Sequence, residues 1–404
     1  MTYSALQRRD VRLLGALRGV SFLGDFVAMI ALYLRLAPLG HAWAIAALSI
    51  AGTLPLVLLS PVAGHVIDRT PAKRLLTALG LVEAALCVGL GYWHGLLPTI
   101  GLMLALSSCV AFSFPGYSAL APAIAGEENI SRAQGTLQAV QGAAAVVGPV
   151  LGGLLVGWTG QSWPLYLDAI TFFAAALATM SLRHDRAPSP TTTLGEVEST
   201  KMMAGMTLLS NDRLLRPIVL TTVVFMLSLG MVNIAEVFFV TQTLHSSAVY
   251  YGLLGASFGS GTVAGSLFAG RLSQDLVHLA RSILVAVGVV GVMIGLTGLV
   301  TRVGYIYPLM LVAGVAVGIA NVAFMTLCTV RSPEALRGRV FAAVGAVFTG
   351  SEIGATALGG LVLTVIAPRT VFQVGGILST ASIVVLGPLA LRASSSAQAR
   401  ERGA

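Results

Sequence analysis

Apolar residues in this chain gather into long runs separated by short polar gaps. A helix that crosses a bilayer needs about 20 apolar residues in sequence. Runs of that kind predict twelve spans, at 13–36, 42–63, 75–97, 98–120, 133–158, 162–182, 214–243, 250–270, 279–301, 303–328, 340–363 and 370–391. The expected fold class is an all-α membrane protein, and an even number of spans puts both termini on one side.

The polar gaps test this layout. Cytoplasmic loops of membrane proteins carry an excess of Lys and Arg. With both termini cytoplasmic, 20 of the 24 Lys and Arg fall inside, while Arg35, Arg302 and Arg369 fall outside and Arg18 lies within the first span. One missed span would invert every later assignment, so the bias supports the count. Arg8, Arg9 and Arg12 precede the first run, which is long, contains Asp25 and lacks a small-x-small cleavage site. It reads as an uncleaved first helix.

The longest polar stretch, 183–213, reads as a cytoplasmic linker, with 194–209 a helix lying on the membrane surface. The expected domains are then a bundle over 1–182, the linker, a second bundle over 214–392 and a tail over 393–404. An offset of 207 residues carries Arg132 onto Arg339, Gly152-Gly153 onto Gly359-Gly360 and Asp68 onto Asp275. Two parallel repeats of this kind describe a transporter that rocks around a midplane site.

Composition narrows the class. The chain is 56% hydrophobic and 10% charged, with mean hydropathy +0.88, whereas soluble domains carry about 25% charged residues. The net charge of +8 lies in short gaps rather than one patch, so nucleic acid is not an expected partner. Cys87, Cys109 and Cys328 lie far apart in apolar runs and read as core residues, not metal ligands or a disulfide framework. No His-Glu-x-x-His and no Gly-x-x-x-x-Gly-Lys-Ser/Thr loop occurs. The chain therefore reads as neither an enzyme nor an ATP-driven pump, and no cofactor or metal is expected.

Against that background five acids stand out within apolar runs: Asp25, Glu83, Asp168, Glu236 and Glu352. Charge at membrane depth is costly, so such residues face a cavity or a partner. Desolvation disfavours the charged carboxylate, which lets a cavity-facing acid exchange a proton near neutral pH. Asp25, Glu352 and Glu236 are the candidate proton-coupling residues. Arg18 lies seven residues before Asp25 on the same face, about 10 Å along the axis. It is read either as a partner or gate for that acid, or as snorkelling to the interface. Phe22, Phe26, Phe112, Phe225, Phe324 and Met325, with Asn233, are candidate walls of a site for bulky apolar compounds.

Two motifs carry a family resemblance. Gly64, Asp68, Arg69, Lys73 and Arg74 match the loop pattern Gly-x-x-x-Asp-Arg/Lys-x-Gly-x-Arg/Lys-Arg/Lys, with Pro71 at the second glycine. Gly148, Pro149, Gly152 and Gly153 match Gly-x-x-x-Gly-Pro-x-x-Gly-Gly, with Ala144 for the first glycine. The chain thus resembles the major facilitator superfamily over its whole length. Leu23-Gly24-Asp25, Phe114-Pro115-Gly116, Tyr166-Leu167-Asp168-Ala169 and Arg337-Gly338-Arg339-Val340-Phe341 resemble its macrolide-efflux and enterobactin-exporter branch. The resemblance implies a cytoplasmic gate at the first motif and a periplasmic seal, associated with proton antiport, at the second. It implies that the third and sixth spans are peripheral, so Glu83 and Asp168 are expected to be structurally paired, with Asp168 near the outer surface. The expected function is export of amphipathic small molecules by proton antiport from the bacterial cytoplasmic membrane, by a monomer whose partners are substrate, protons and the bilayer. An uptake symporter and a lysophospholipid flippase on the same fold are the alternatives.

Overall fold

The computed structural model describes residues 5–125, 130–182, 206–271, 273, 275–333 and 336–403. Each predicted run carries helix. The helices are α1 (Ala5–Leu36), α2 (Ala42–Leu58), α3 (Ser60–Arg69), α4 (Ala72–Tyr92), α5 (Leu96–Ala125), α6 (Ile130–Thr159), α7 (Trp163–Ser181), α8 (Leu215–Phe238), α9 (Ala248–Ala269), α10 (Leu276–Thr297), α11 (Ile306–Arg331), α12 (Arg337–Val362) and α13 (Pro368–Gly403). Among the described residues ten helices are long and apolar enough to cross a membrane. The two others expected to span are α2, which is only 17 residues, and α9, whose sequence is diluted by glycine and serine.

The second predicted run is broken in the structure, and its prolines explain why. Pro61 has no N–H to give to the carbonyl of Val57. The Ser60 hydroxyl donates to that carbonyl instead, at 3.0 Å. The run therefore divides into α2 and α3 at Leu59. At the other end of the chain, α13 continues well past the predicted limit at 391. Most of the predicted surface helix at 194–209 lies outside the described residues, and 206–211 is helical.

The chain forms two compact units. The first comprises 1–40, 47–194 and 247–256, and the second 41–46, 195–246 and 257–404. In the first, α1 packs on α6 and α7, and α4 packs on α7 and α5. In the second, α8 packs on α12 and α13, and α10 packs on α13 and α11. The pairing is the same in both.

Small residues make these crossings close, as expected where lipid supplies no hydrophobic drive between helices. On α6, Gly152 lies on α1, where an added Cβ would stand 3.2 Å from the Val27 backbone. Gly153, one position round the helix, lies on α9 with the Gly252 Cα 3.1 Å from where its Cβ would be. The Gly-Pro-x-x-Gly-Gly run thus seats α6 against two helices at once. In the second unit Gly291 of α10 meets Gly376 and Ser379 of α13 in the same manner.

Candidate functional site

The first unit holds a cavity of about 280 Å³ between α1, α2, α4, α5, α6 and α7. Phe22, Phe26, Met29 and Met103 give it apolar walls, and Asp25, Asp168, Cys87, Ser107 and Gln141 are its polar groups. Asp25 comes from the middle of α1 and is half-buried. Asp168 comes from the start of α7 and is 1% exposed. Sequence reasoning sets Asp168 apart, near the outer surface. The structure puts it on the same cavity as Asp25.

Gly24 permits this arrangement. It has no Cβ, and the Asp168 carboxylate occupies the space a Cβ would fill, with Cγ 3.2 Å from that point. The carboxylate is held there by two donors. The Thr171 hydroxyl donates to Oδ1 at 3.2 Å, and the Cys87 thiol donates to Oδ2 at 3.5 Å. Cys87, read from sequence as a core residue, therefore has a polar task as well. Glu83, one turn earlier on α4, is also buried and accepts a 2.8 Å hydrogen bond from Ser113.

Arg18 does not snorkel. It is 9% exposed, and its guanidinium lies over the rings of Phe22 at 4.3 Å, Tyr117 at 4.7 Å and Phe114 at 5.7 Å from the centroids. The ring faces supply negative potential to a cation that has left water. Arg18 is thus a buried positive charge on the same helix as Asp25. Phe114, from the Phe-Pro-Gly motif, also meets Phe22 edge-on at 6.5 Å. Arg35, at the far end of α1, is 8% exposed and donates to the carbonyls of Leu90 at 2.5 Å and Gln161 at 3.4 Å. It ties α1 to the end of α4 and to the α6–α7 connection.

The second unit differs. Glu236 is half-buried on α8 and Glu352 is exposed on α12. Among the described residues neither has a hydrogen-bond partner. Ser351, beside Glu352, commits its hydroxyl to the Val347 carbonyl of its own helix at 2.7 Å. Phe225 is buried, and Phe324 is buried against Phe348 with centroids 5.3 Å apart. Asn233 and Met325 are exposed, and Phe112 of the first unit is half-buried outside the cavity lining.

The loop motif falls on α3 and the start of α4. The side chain of Asp68 lies outside the described residues. Arg69 and Arg74 are exposed, and Lys73 donates to the Leu182 carbonyl at the end of α7. Pro71 takes φ −55° before α4, the value its ring imposes. No glycine-only conformation is needed there.

The profile of the Major Facilitator Superfamily matches residues 14–347 and 218–404. The chain belongs to that superfamily. It is 22% identical over 315 residues to macrolide efflux protein A of Enterococcus faecalis, covering 75% of this chain and 95% of that protein. It is 28% identical over 299 residues to the enterobactin exporter EntS of Citrobacter koseri, covering 71% of this chain and 65% of that one. Solved structures agree on the fold. A variant of the nucleoside transporter NupG matches with TM-score 0.72 and 14% identity over 94% of this chain and 99% of that one. An inward-facing bacterial homologue of the lysosomal transporter Spinster matches with TM-score 0.69 and 12% identity over 98% of both.

The chain is therefore a multi-pass membrane transporter of the superfamily. Among the acids, Asp168 is paired as the resemblance implies, with Thr171 and Cys87, and it also lines the cavity of Asp25. Its signal was present in the Tyr-Leu-Asp-Ala motif, whose partner, the Leu-Gly-Asp motif, meets it in the fold through Gly24.

Proposed function

We propose that this transporter exports amphipathic small molecules by proton antiport, with alternating access, from a bacterial cytoplasmic membrane. In this reading two six-helix bundles, 1–182 and 214–392, joined by a cytoplasmic linker, rock as rigid bodies, and both termini are cytoplasmic. The observation that carries the reading is that Asp25 and Asp168 line one apolar cavity. Two carboxyl groups there offer oxygens on which a proton can rest. Within a low-dielectric space a second negative charge beside the first is costly. Arg18 supplies a fixed positive charge on the Asp25 helix. Glu236 and Glu352 are further proton carriers or sites for a cationic substrate.

The cavity is small for this task. Drug-sized ligands occupy about 300–1,000 Å³, against about 280 Å³ here. That size suits the proton site and one edge of a substrate rather than a whole macrolide. The relatives named for macrolide efflux and enterobactin export support outward transport of a bulky compound.

The test is accumulation of a fluorescent dye and of a macrolide in cells expressing the protein, with and without a protonophore. Accumulation should fall on expression, recover with the protonophore, and recover in Asp25→Asn. Gradient-driven export that survives in Asp25→Asn, Asp168→Asn and Glu352→Gln alike would sink the mechanism.

A further inference from the structure

We propose that the second unit carries a binding site for an anionic phospholipid, separate from the transport cavity. A pocket of about 1060 Å³ opens where α8 begins, α11 ends and α13 runs past residue 391. Arg213, Arg216, Arg331 and Arg392 line it, with Asp212 as its one acid. The pattern of Lys and Arg assigns this end of the bundle to the cytoplasmic face.

Asp212 carries one negative charge against the four arginines, and both its oxygens are already engaged. Oδ1 accepts from the backbone N–H groups of Leu214 at 2.8 Å and Leu215 at 2.9 Å, which caps α8. Oδ2 accepts from Arg331 Nε at 2.9 Å. Among the described residues Arg213, Arg216 and Arg392 form no ion pair, and all three are exposed. An excess of three positive charges around one concavity is what an anion requires.

The apolar part of the pocket names the kind of anion. Pro217, Leu220, Leu386 and Leu389 complete its lining, and Leu220 and Leu389 are 44% and 54% exposed. A soluble anion has no use for such a wall. A phospholipid with a charged headgroup places its phosphate among the guanidiniums and its acyl chains along the leucines. Basic pockets between membrane helices on the cytoplasmic side bind acidic headgroups by this chemistry. Arginine suits phosphate because its planar fork gives two parallel donors.

The experiment uses purified full-length protein in nonionic detergent, titrated with phosphatidylglycerol or phosphatidylcholine and read by native mass spectrometry. Phosphatidylglycerol should bind more tightly, by about fivefold per unpaired arginine engaged. The triple variant Arg213→Gln/Arg216→Gln/Arg392→Gln should lose the preference, while the corresponding triple Lys variant should keep most of it. Leu389→Ser leaves every arginine in place and adds no charge, so weaker phosphatidylglycerol binding there reports the apolar wall, and an unfolding temperature like the parent's guards against a folding defect in the triple variant. Equal binding of the two lipids, or a preference unchanged in the triple Gln variant, overturns the proposal. Displacement of phosphatidylglycerol by millimolar inorganic phosphate overturns the lipid assignment in favour of a soluble anion.

Discussion

The carboxylate of Asp168 on α7 rests against Gly24 on α1, in the space any other residue would fill with its Cβ. Two helices far apart in sequence thereby bring an acid next to Asp25. An alanine at Gly24 would drive its Cβ into that carboxylate, and overpacking of this kind costs about 1–3 kcal/mol. Gly24→Ala should lower the unfolding temperature in detergent. Gly24→Ala combined with Asp168→Ala should recover part of the loss, since contacting residues couple by about 0.5–3 kcal/mol. Strict additivity of the two substitutions would contradict the contact.

The proposed proton site predicts that Asp168 matters for coupling as well as for packing. Asp168→Asn retains an oxygen for Thr171 but removes an ionisable group. Gradient-driven export should fall, and the change of substrate affinity with pH should weaken by up to the about 5- to 150-fold that couples two binding sites. Cys87→Ser, which keeps a donor toward Asp168, should export near the parental rate. Facilitated movement of substrate down its own gradient should persist in Asp168→Asn, which separates lost coupling from a collapsed fold.

Arg18 is held by ring faces at 4.3 and 4.7 Å, so its shape counts as well as its charge. Lysine keeps the charge but is a compact, strongly hydrated ammonium. Arg18→Lys should lose about 0.5–2 kcal/mol of stability, and Arg18→Met, which fits the apolar surroundings, should unfold no earlier than Arg18→Lys. An Arg18→Lys protein indistinguishable from the parent would argue against the aromatic box.

Gly153 and Gly157 look alike in sequence, as members of one small-xxx-small pair. Their surroundings differ. A Cβ at Gly153 would lie 2.6 Å from the Ala248 carbonyl and 3.1 Å from the Gly252 Cα, both backbone atoms. At Gly157 the nearest atom is Val249 Cγ2 at 3.3 Å, the tip of a side chain that can turn away. Thermal unfolding should therefore show Gly153→Ala as clearly destabilised, by about 1–3 kcal/mol, and Gly157→Ala as close to the parent.

Arg35 was legible in sequence only as one of three positive charges expected on the outside. Its burial and its bonds to two carbonyls make it a clasp. Hydrogen bonds to a charged group are worth about 1.5–3 kcal/mol each. Arg35→Leu should cost at least one such bond, visible as a lower unfolding temperature with the α6–α7 connection more open to proteolysis.

The sequence by itself determined where the chain is helical, because a continuous apolar backbone in lipid can satisfy its polar groups only within itself. It determined the Pro–Gly run of α6, because proline and glycine act on their own backbone, whereas 42–63 read as one span and its break at Leu59 came from the structure. It flagged Asp25 as a costly charge. What it left open was which way each helix faces. A soluble helix declares its inner face by being polar on the other, but a membrane helix is apolar all round. Only the tertiary packing turned Asp168 and Cys87 toward Asp25, wrapped Arg18 in three rings, and left three arginines around an aspartate whose oxygens were already taken. These are decisions of helix rotation, set by where small residues let two backbones approach.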